Sequence, residues 1–279
     1  RFCLWRERGA YMDGKHQVTV IVTDPKKVPQ KNINVIVKND LGDKATGKTD
    51  KNGEVTVPEV EKTEHHSAYV VGYTDGTFGP ERNMTRSEAA AIFARLLADK
   101  NGDNISPVAK TKFSDVPAYA WYSGYVKYLN NNGVTYGHSK TIFAPDEQIT
   151  RAEFTTMAVR FFDVYGSGDA EIMEQFSGFH DVSSGYWAAE YIKYAALHGW
   201  INGYGDGSFH ADREINRAEV VTIVNRLLGR EADEDYIADN LRKLNTFPDV
   251  SRKHWAYYAV MEAANAHTAV LGENESWSK

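Results

Sequence analysis

After Arg86, Arg151 and Arg217, apolar residues fall at offsets +3, +6, +7, +10 and +11, and the same five positions recur each time. They are Ala89, Ile92, Phe93, Leu96 and Leu97, then Phe154, Met157, Ala158, Phe161 and Phe162, then Val220, Ile223, Val224, Leu227 and Leu228. That spacing is one buried face of a three-turn helix. Thr85 with Glu88, Thr150 with Glu153, and Asn216 with Glu219 have the capping-box spacing, so each helix is predicted to start at its arginine. A second helical pattern follows Phe-x-Asp-Val at Phe113, Phe179 and Phe247. Its apolar positions are Trp121, Tyr125, Val126 and Leu129, then Trp187, Tyr191, Ile192 and Ala195, then Trp255, Ala259, Val260 and Ala263. The first two copies run into Gly133 to Gly137 and Gly199 to Gly203. Turns at Asp75-Gly76 and Asp206-Gly207 use glycine for a positive φ.

These patterns are copies of one unit. The three arginines are 65 and 66 residues apart, as are Gly72, Gly137 and Gly203, and Phe78, Phe143 and Phe209. Repeated units share a core with their neighbours, so the period outranks any local reading. The series opens on an arginine half that lacks a preceding Phe-x-Asp-Val half, and it closes on a Phe-x-Asp-Val half that lacks an arginine half. A closed three-fold arrangement would pair these orphans, whereas an open solenoid would leave two apolar faces unmatched. Closure is therefore expected.

Before the repeats the period changes to two. Val18, Val20 and Val22, then Ile33, Val35 and Val37, then Val55 and Val57 read as strands, separated by turn residues at Asp24-Pro25, Asn39-Asp40, Asp50-Lys51-Asn52-Gly53 and Pro58. The run resembles the late strands of an immunoglobulin-like or carboxypeptidase-regulatory-like sandwich. It is too short for a complete one, since a few strands need a partner sheet. The expected organisation is a fragment or linker at 1–15, a partial β-sandwich at 16–62, a mainly α repeat domain at 63–272 and a tail at 273–279. Within the repeat domain the expected parts are 67–98, 113–162, 179–228 and 247–266.

Composition narrows the functions. The chain has 279 residues, 42% hydrophobic and 25% charged, enough for one sizeable core and a smaller domain. A net charge of −6 argues against nucleic acid as a partner and means that any anionic ligand must be met by local cations. The single cysteine, Cys3, excludes an internal disulfide framework and a cysteine zinc cluster. No apolar run approaches membrane-spanning length, and no signal-peptide pattern opens the chain. Because it begins at Arg1 and not Met, it is expected to be a fragment or processed product.

The repeats resemble the S-layer homology domain, a module that anchors many surface proteins of bacteria to their cell wall. The resemblance rests on GYTDGTFGPERNMTRSEAAAIFARLL, on FSDVPAYAWYSGYVKYLNNNGVTYG with ITRAEFTTMAVRF, on FHDVSSGYWAAEYIKYAALHGWINGYGDGSFHADREINRAEVVTIVNRLL, and on FPDVSRKHWAYYAV. It implies a closed pseudo-three-fold set of three helix-loop-helix repeats. Grooves between repeats would bind a secondary cell wall polysaccharide at its pyruvylated amino-sugar terminus, at the cell surface, without catalysis and without a cofactor. Carried over by motif, Arg86 in TRSE, Arg151 in TRAE and Arg217 in NRAE would contact the acidic sugar.

The residues themselves leave alternatives open. Arginine in a first helical turn sits against a positive dipole end, and an incoming carboxylate reverses that penalty. Equally, each arginine would staple two repeats if it paired with Asp115, Asp181 or Asp249. Trp121, Trp187 and Trp255 read first as core and second as sugar platforms. Tyr73 and Tyr204 are candidates for lining a groove, and Glu88, Glu153 and Glu219 read as capping residues. The second copy, Gly137-His138-Ser139-Lys140-Thr141-Ile142-Phe143, lacks the Tyr and the Asp-Gly, so its groove is expected to be altered or silent, with Lys140 as a remaining charge. The third copy has Asn216 for Thr and the first Ser87 for Ala, both mild changes.

Other constellations are weaker. Asp99 to Asn104 has some calcium-loop character but Lys110 at the twelfth position, so it reads as a linker turn. His65-His66 has no third ligand nearby in sequence, and no metal site is assigned. His180, His198, His254 and His267 read as packing or surface residues. No nucleophile-elbow, P-loop or zincin motif is present. The leading expectation is a non-catalytic wall anchor. The alternatives are a self-assembling surface-layer or adhesion module and the anchor of a surface enzyme whose catalytic domain lies upstream.

Overall fold

The computed structural model describes residues 3–10, 16–24, 26–38, 44–58, 62–166, 176, 178–271 and 275–278. The chain divides into two compact units, one of Arg1–His65 with Thr268–Lys279, the other of His66–His267.

The first unit is made of strands. β1 (Cys3–Ala10), β2 (His16–Thr23) and β5 (Glu54–Pro58) form one antiparallel sheet with β2 central. β3 (Asn34–Lys38) and β4 (Lys44–Lys48) form an antiparallel pair. β6 (Lys62–His66), β7 (His267–Leu271) and β8 (Ser276–Ser278) form a third sheet in that order. Val20, Val22, Val35 and Val55 make a small buried core, flanked by Ile33 and Ala45, so the alternation in the sequence does select the inner face. Gly53 (φ +74°) turns where a Cβ would meet the Val22 carbonyl oxygen at 2.5 Å. Asp50 fixes that turn by accepting from the Asn52 and Glu54 N–H groups. The turns expected around Pro25 and Asn39-Asp40 lie at or outside the limits of the described residues.

Two segments differ from expectation. Cys3–Ala10 forms β1, although 1–15 was expected as fragment or linker, because ladder hydrogen bonds come from the backbone and need no apolar pattern. The end of the chain supplies β8 where the tail was expected, paired with β7 from the last stretch of the expected repeat domain, with Trp277 buried opposite Ala269.

The second unit is helical: α1 (Arg86–Asn101), α2 (Ser123–Asn131), α3 (Arg151–Tyr165), α4 (Ala189–Leu197), α5 (Arg217–Leu228), α6 (Glu234–Asn240) and α7 (Tyr257–Ala264). α1, α3 and α5 each begin at the arginine, with a complete capping box and an αL glycine at the C-cap, Gly102, Gly166 and Gly229. α6, capped by Asp233, belongs to no repeat. The Asp99 to Asn104 stretch is the end of α1 and its glycine cap.

α1 packs on α2, α3 on α4 and α5 on α7, and α3 touches both α1 and α5. The segments just before the arginine helices bond one another in a ring. Met84 N–H donates to the Ile215 oxygen, Ile215 N–H to Ile149 and Ile149 N–H to Met84, at 3.0, 3.0 and 2.9 Å. Met84, Ile149 and Ile215 are fully buried, with Phe78, Phe143 and Phe209.

Each Phe-x-Asp-Val carboxylate holds the loop of an arginine half. Asp115 accepts from Phe143 and Ala144 N–H (2.9 and 2.7 Å), and Asp181 from Phe209 and His210 (2.8 and 2.7 Å). Asp249 accepts from Phe78 and Gly79 (2.9 and 2.7 Å), so the last half of the series holds the first. The phenylalanines follow suit: Phe113–Phe143, Phe179–Phe209 and Phe247–Phe78 have ring centroids 5.6, 5.1 and 5.3 Å apart. Gly137, Gly203 and Gly72 allow this contact. A Cβ there would lie 2.3, 2.5 and 2.6 Å from the rings of Phe113, Phe179 and Phe247.

Candidate functional site

The capping box places each arginine at the first helical position, from which its side chain runs over the loop of a neighbouring repeat. Arg86 Nε donates to the Phe143 oxygen at 2.8 Å, Arg151 Nε to Phe209 at 2.9 Å and Arg217 Nε to Phe78 at 2.8 Å. Each guanidinium also lies over the ring of that phenylalanine, at 5.2, 4.5 and 4.6 Å. All three arginines are buried.

Pairing with Asp115, Asp181 or Asp249 does not occur, because those carboxylates are turned to backbone N–H groups. The partners are the capping glutamates of the neighbouring repeat. Arg86 meets Glu153 at 2.8 Å and Arg151 meets Glu219 at 3.1 Å. These glutamates act twice. One oxygen takes the arginine, while the other accepts from the N-cap N–H, of Thr150 at 3.0 Å and of Asn216 at 3.1 Å. Arg217 differs. It donates a further hydrogen bond to the Val71 carbonyl oxygen at 2.9 Å and lies over the Tyr73 ring at 4.8 Å, and among the described residues it forms no ion pair.

Each arginine lines a groove. The first, about 470 Å³, has Arg86, Glu153, Arg160, Tyr136 and Trp187 in its wall. The second, about 260 Å³, has Arg151, Glu219, Arg226, Tyr204 and Trp255. The third, about 180 Å³, has Arg217, Glu88, Arg95, Tyr73 and Trp121. The candidate arginines, tyrosines and tryptophans are thus gathered in matching sets.

The core reading of the tryptophans is corrected. Trp121, Trp187 and Trp255 are 55, 57 and 61% exposed, because α2, α4 and α7 begin after them. The buried stripe starts one position later, at Tyr122, Val126 and Leu129, at Ala188, Ile192 and Ala195, and at Ala256, Val260 and Ala263. A partly exposed indole on a groove wall offers a flat apolar face.

The sequence reading missed Arg95, Arg160 and Arg226. They lie nine residues after Arg86, Arg151 and Arg217 in all three copies, a recurrence visible in the chain itself. Each groove therefore combines the first arginine of one repeat helix with the +9 arginine of the next. Arg160 lies over Tyr136 and Tyr191 (4.8 and 5.0 Å) and donates to the Tyr191 hydroxyl at 3.1 Å. Arg95 lies over Tyr125 at 5.1 Å. At the place of those tyrosines the third copy has Ala259, and burial lowers the pKa of Arg226.

The second-copy loop, which lacks the Tyr and the Asp-Gly, still lines a groove, with Tyr136 in its wall; Lys140 is not part of the lining. The charges differ more than the shapes. The second and third grooves set two arginines against one glutamate. The first sets two against Glu147, Glu153 and Asp212. In the second, burial pushes the Arg151 pKa down while Glu219 opposes that shift, and Arg213 adds a further ion pair to Glu219. The Tyr204 hydroxyl, its pKa raised by burial, donates to Glu219 at 2.9 Å.

Comparison with known proteins agrees with this organisation. The S-layer homology domain matches residues 59–90, 112–155 and 178–221. Cell surface glycoprotein 1 of Acetivibrio thermocellus is 35% identical over 75% of the chain, and 9% of that protein is covered. The cellulosome-anchoring protein of the same organism is 34% identical over 81% of the chain, and 48% of it is covered. A surface-layer 125 kDa protein of Lysinibacillus sphaericus is 32% identical over 57% of the chain and 13% of its own length. The chain thus spans at most about half of these relatives. Three of its segments match the S-layer homology domain, and with the surface and anchoring proteins among its relatives this supports a place at the bacterial cell wall or surface and a role in cell wall anchoring. None of its described helices is long and apolar enough to cross a membrane.

Proposed function

We propose that this chain attaches a surface protein to the cell wall, without catalysis, by holding an acidic secondary cell wall polysaccharide in grooves between repeats. The repeats are read as a closed pseudo-three-fold assembly, supported by the ring of hydrogen bonds among Met84, Ile149 and Ile215 and by the grip of Asp249 on the first loop. The β-rich unit serves as a spacer related to immunoglobulin-like or carboxypeptidase-regulatory-like modules.

The observation that carries the reading is the groove itself, where two arginines from different repeats stand beside an exposed tryptophan, three times over. A pyruvylated amino sugar matches it chemically. Its carboxylate suits paired guanidinium forks, and its apolar sugar face suits an indole. The test is co-sedimentation with purified sacculi before and after removal of pyruvyl groups, using wild type, Arg95→Ala and Arg226→Ala. Each variant is expected to lose about tenfold in retention, the scale of one charge-assisted hydrogen bond, with an unchanged circular dichroism spectrum. Loss of wild-type retention with the pyruvate supports the assignment. Retention that ignores both the pyruvate and the arginines would sink it and favour self-association in a surface layer.

A further inference from the structure

Apart from the grooves, the strongest convergence of chemistry in the second unit is at its two ends. His66 is its first residue and His267 its last, and both are buried. Glu262, in the last turn of α7, lies between them with its carboxylate fully buried. His66 Nδ1 and His267 Nε2 are 3.2 Å apart, although the residues are 201 apart in sequence. Glu262 Oε1 is 3.6 Å from His66 Nδ1, and Glu262 Oε2 is 3.4 Å from His267 Nε2.

We propose that His66, Glu262 and His267 form a structural site for a divalent transition metal, best matched by Zn²⁺. A tetrahedral zinc ion with bonds of about 2.0–2.1 Å sets its ligand atoms roughly 3.3–3.4 Å apart. The three distances here bracket that edge length. His267 is also prepared for the role. Its Nδ1 lies 3.0 Å from the Asn265 carbonyl oxygen, so Nδ1 carries the proton and the Nε2 lone pair faces the site. This is the outer hydrogen bond that fixes a metal-binding imidazole. Two imidazoles and a carboxylate suit zinc better than calcium or magnesium, which prefer oxygen.

The location gives the site a purpose. The first and last halves of the repeat series meet here, where Tyr69 N–H donates to the Ala263 oxygen. A metal bound by both terminal histidines and α7 closes a loop of some two hundred residues, the kind of cross-link from which a fold gains most. The chain's single cysteine leaves no disulfide to do this.

The experiment uses the full chain, stripped of metal and titrated separately with Zn²⁺ and Co²⁺. One Zn²⁺ per chain, a rise in Tm that chelator reverses, and the intense visible bands of tetrahedral Co²⁺ are expected. Glu262→Gln, nearly isosteric, is expected to weaken uptake more than about tenfold, while His65→Ala, an exposed neighbour, leaves it unchanged. Absence of stoichiometric uptake, the weak bands of octahedral Co²⁺, or uptake undiminished in Glu262→Gln would each overturn the proposal and leave a proton-sharing histidine–glutamate cluster. Because the cobalt spectrum is read on the wild-type chain, the test stands even if the variant folds poorly.

Discussion

Single residues matter here mostly through close approach and through what a carboxylate faces. Gly203 sits where a Cβ would be 2.5 Å from the Phe179 ring and 2.6 Å from the Ser208 carbonyl oxygen, whereas one at Gly205 would meet nothing within 4 Å. Gly203→Ala should therefore destabilise by about 1–3 kcal/mol, as overpacking does, and Gly205→Ala by less than about 0.5 kcal/mol. Urea denaturation of the two variants checks this, and equal losses would remove close packing as the reason for the repeated glycine. The glycine was legible in the sequence as a recurrent position, but its reason was not, because Phe179 precedes it by a whole helix. Asp181 gives a pH dependence. Burial raises its pKa, but the N–H donors of Phe209 and His210 outweigh this and hold it below its ordinary value. Its folded pKa is depressed, so its contribution is present above the unfolded value of about 3.9 and is lost as pH falls through the folded one. Asp181→Asn should cost stability at neutral pH and converge on wild type below about pH 4; denaturation midpoints from pH 3 to 7 would show the two curves closing, and parallel curves would argue against it.

At the scale of elements, the starts of α1, α3 and α5 were readable because a capping box is a local signal contained in four residues. What those glutamates do next was not readable, since Arg86 reaches Glu153 from another repeat. Helix start and inter-repeat staple are therefore one device. Thr150→Ala removes only the cap side chain and should cost about 1 kcal/mol. Glu153→Gln keeps an acceptor for the Thr150 N–H but leaves the buried Arg86 guanidinium without its carboxylate, and should cost about 1–3 kcal/mol more. A double-mutant cycle of Arg86→Met with Glu153→Gln should give a loss well below the sum of the single changes. Additivity would mean that the pair at 2.8 Å contributes nothing as a pair. The same dual use explains why the tryptophans were misread. Their spacing belongs to the helical stripe, yet α2, α4 and α7 start just after them, and that offset turns each ring toward a groove.

For the whole molecule, the order of half-repeats predicts a closed arrangement, and the hydrogen bonds from the Phe78 and Gly79 N–H groups to Asp249 support that reading. The paired arginines escaped the reading because +9 positions look like ordinary solvated charges until neighbouring helices are brought together. Once paired, they make local cationic sites on a chain of net charge −6. Interactions across such a surface are screened over about 10 Å at 0.1 M salt, so binding to an acidic wall polymer should weaken as salt rises from about 0.05 to 0.5 M without changing its chemical specificity. The grooves should also differ in rank. The first carries three carboxylates against Arg86 and Arg160, while the second and third carry one against two guanidiniums, and Arg217 in the third forms no ion pair among the described residues. A guanidinium already neutralised attracts an incoming carboxylate less. Arg95→Ala and Arg226→Ala should therefore reduce retention on sacculi more than Arg160→Ala, and the Arg95 variant should show the larger fall in salt sensitivity. Isothermal titration with solubilised wall polymer at several salt concentrations would read this order directly, and an Arg160→Ala variant that lost most of the binding would place the principal site in the first groove, against the charge argument.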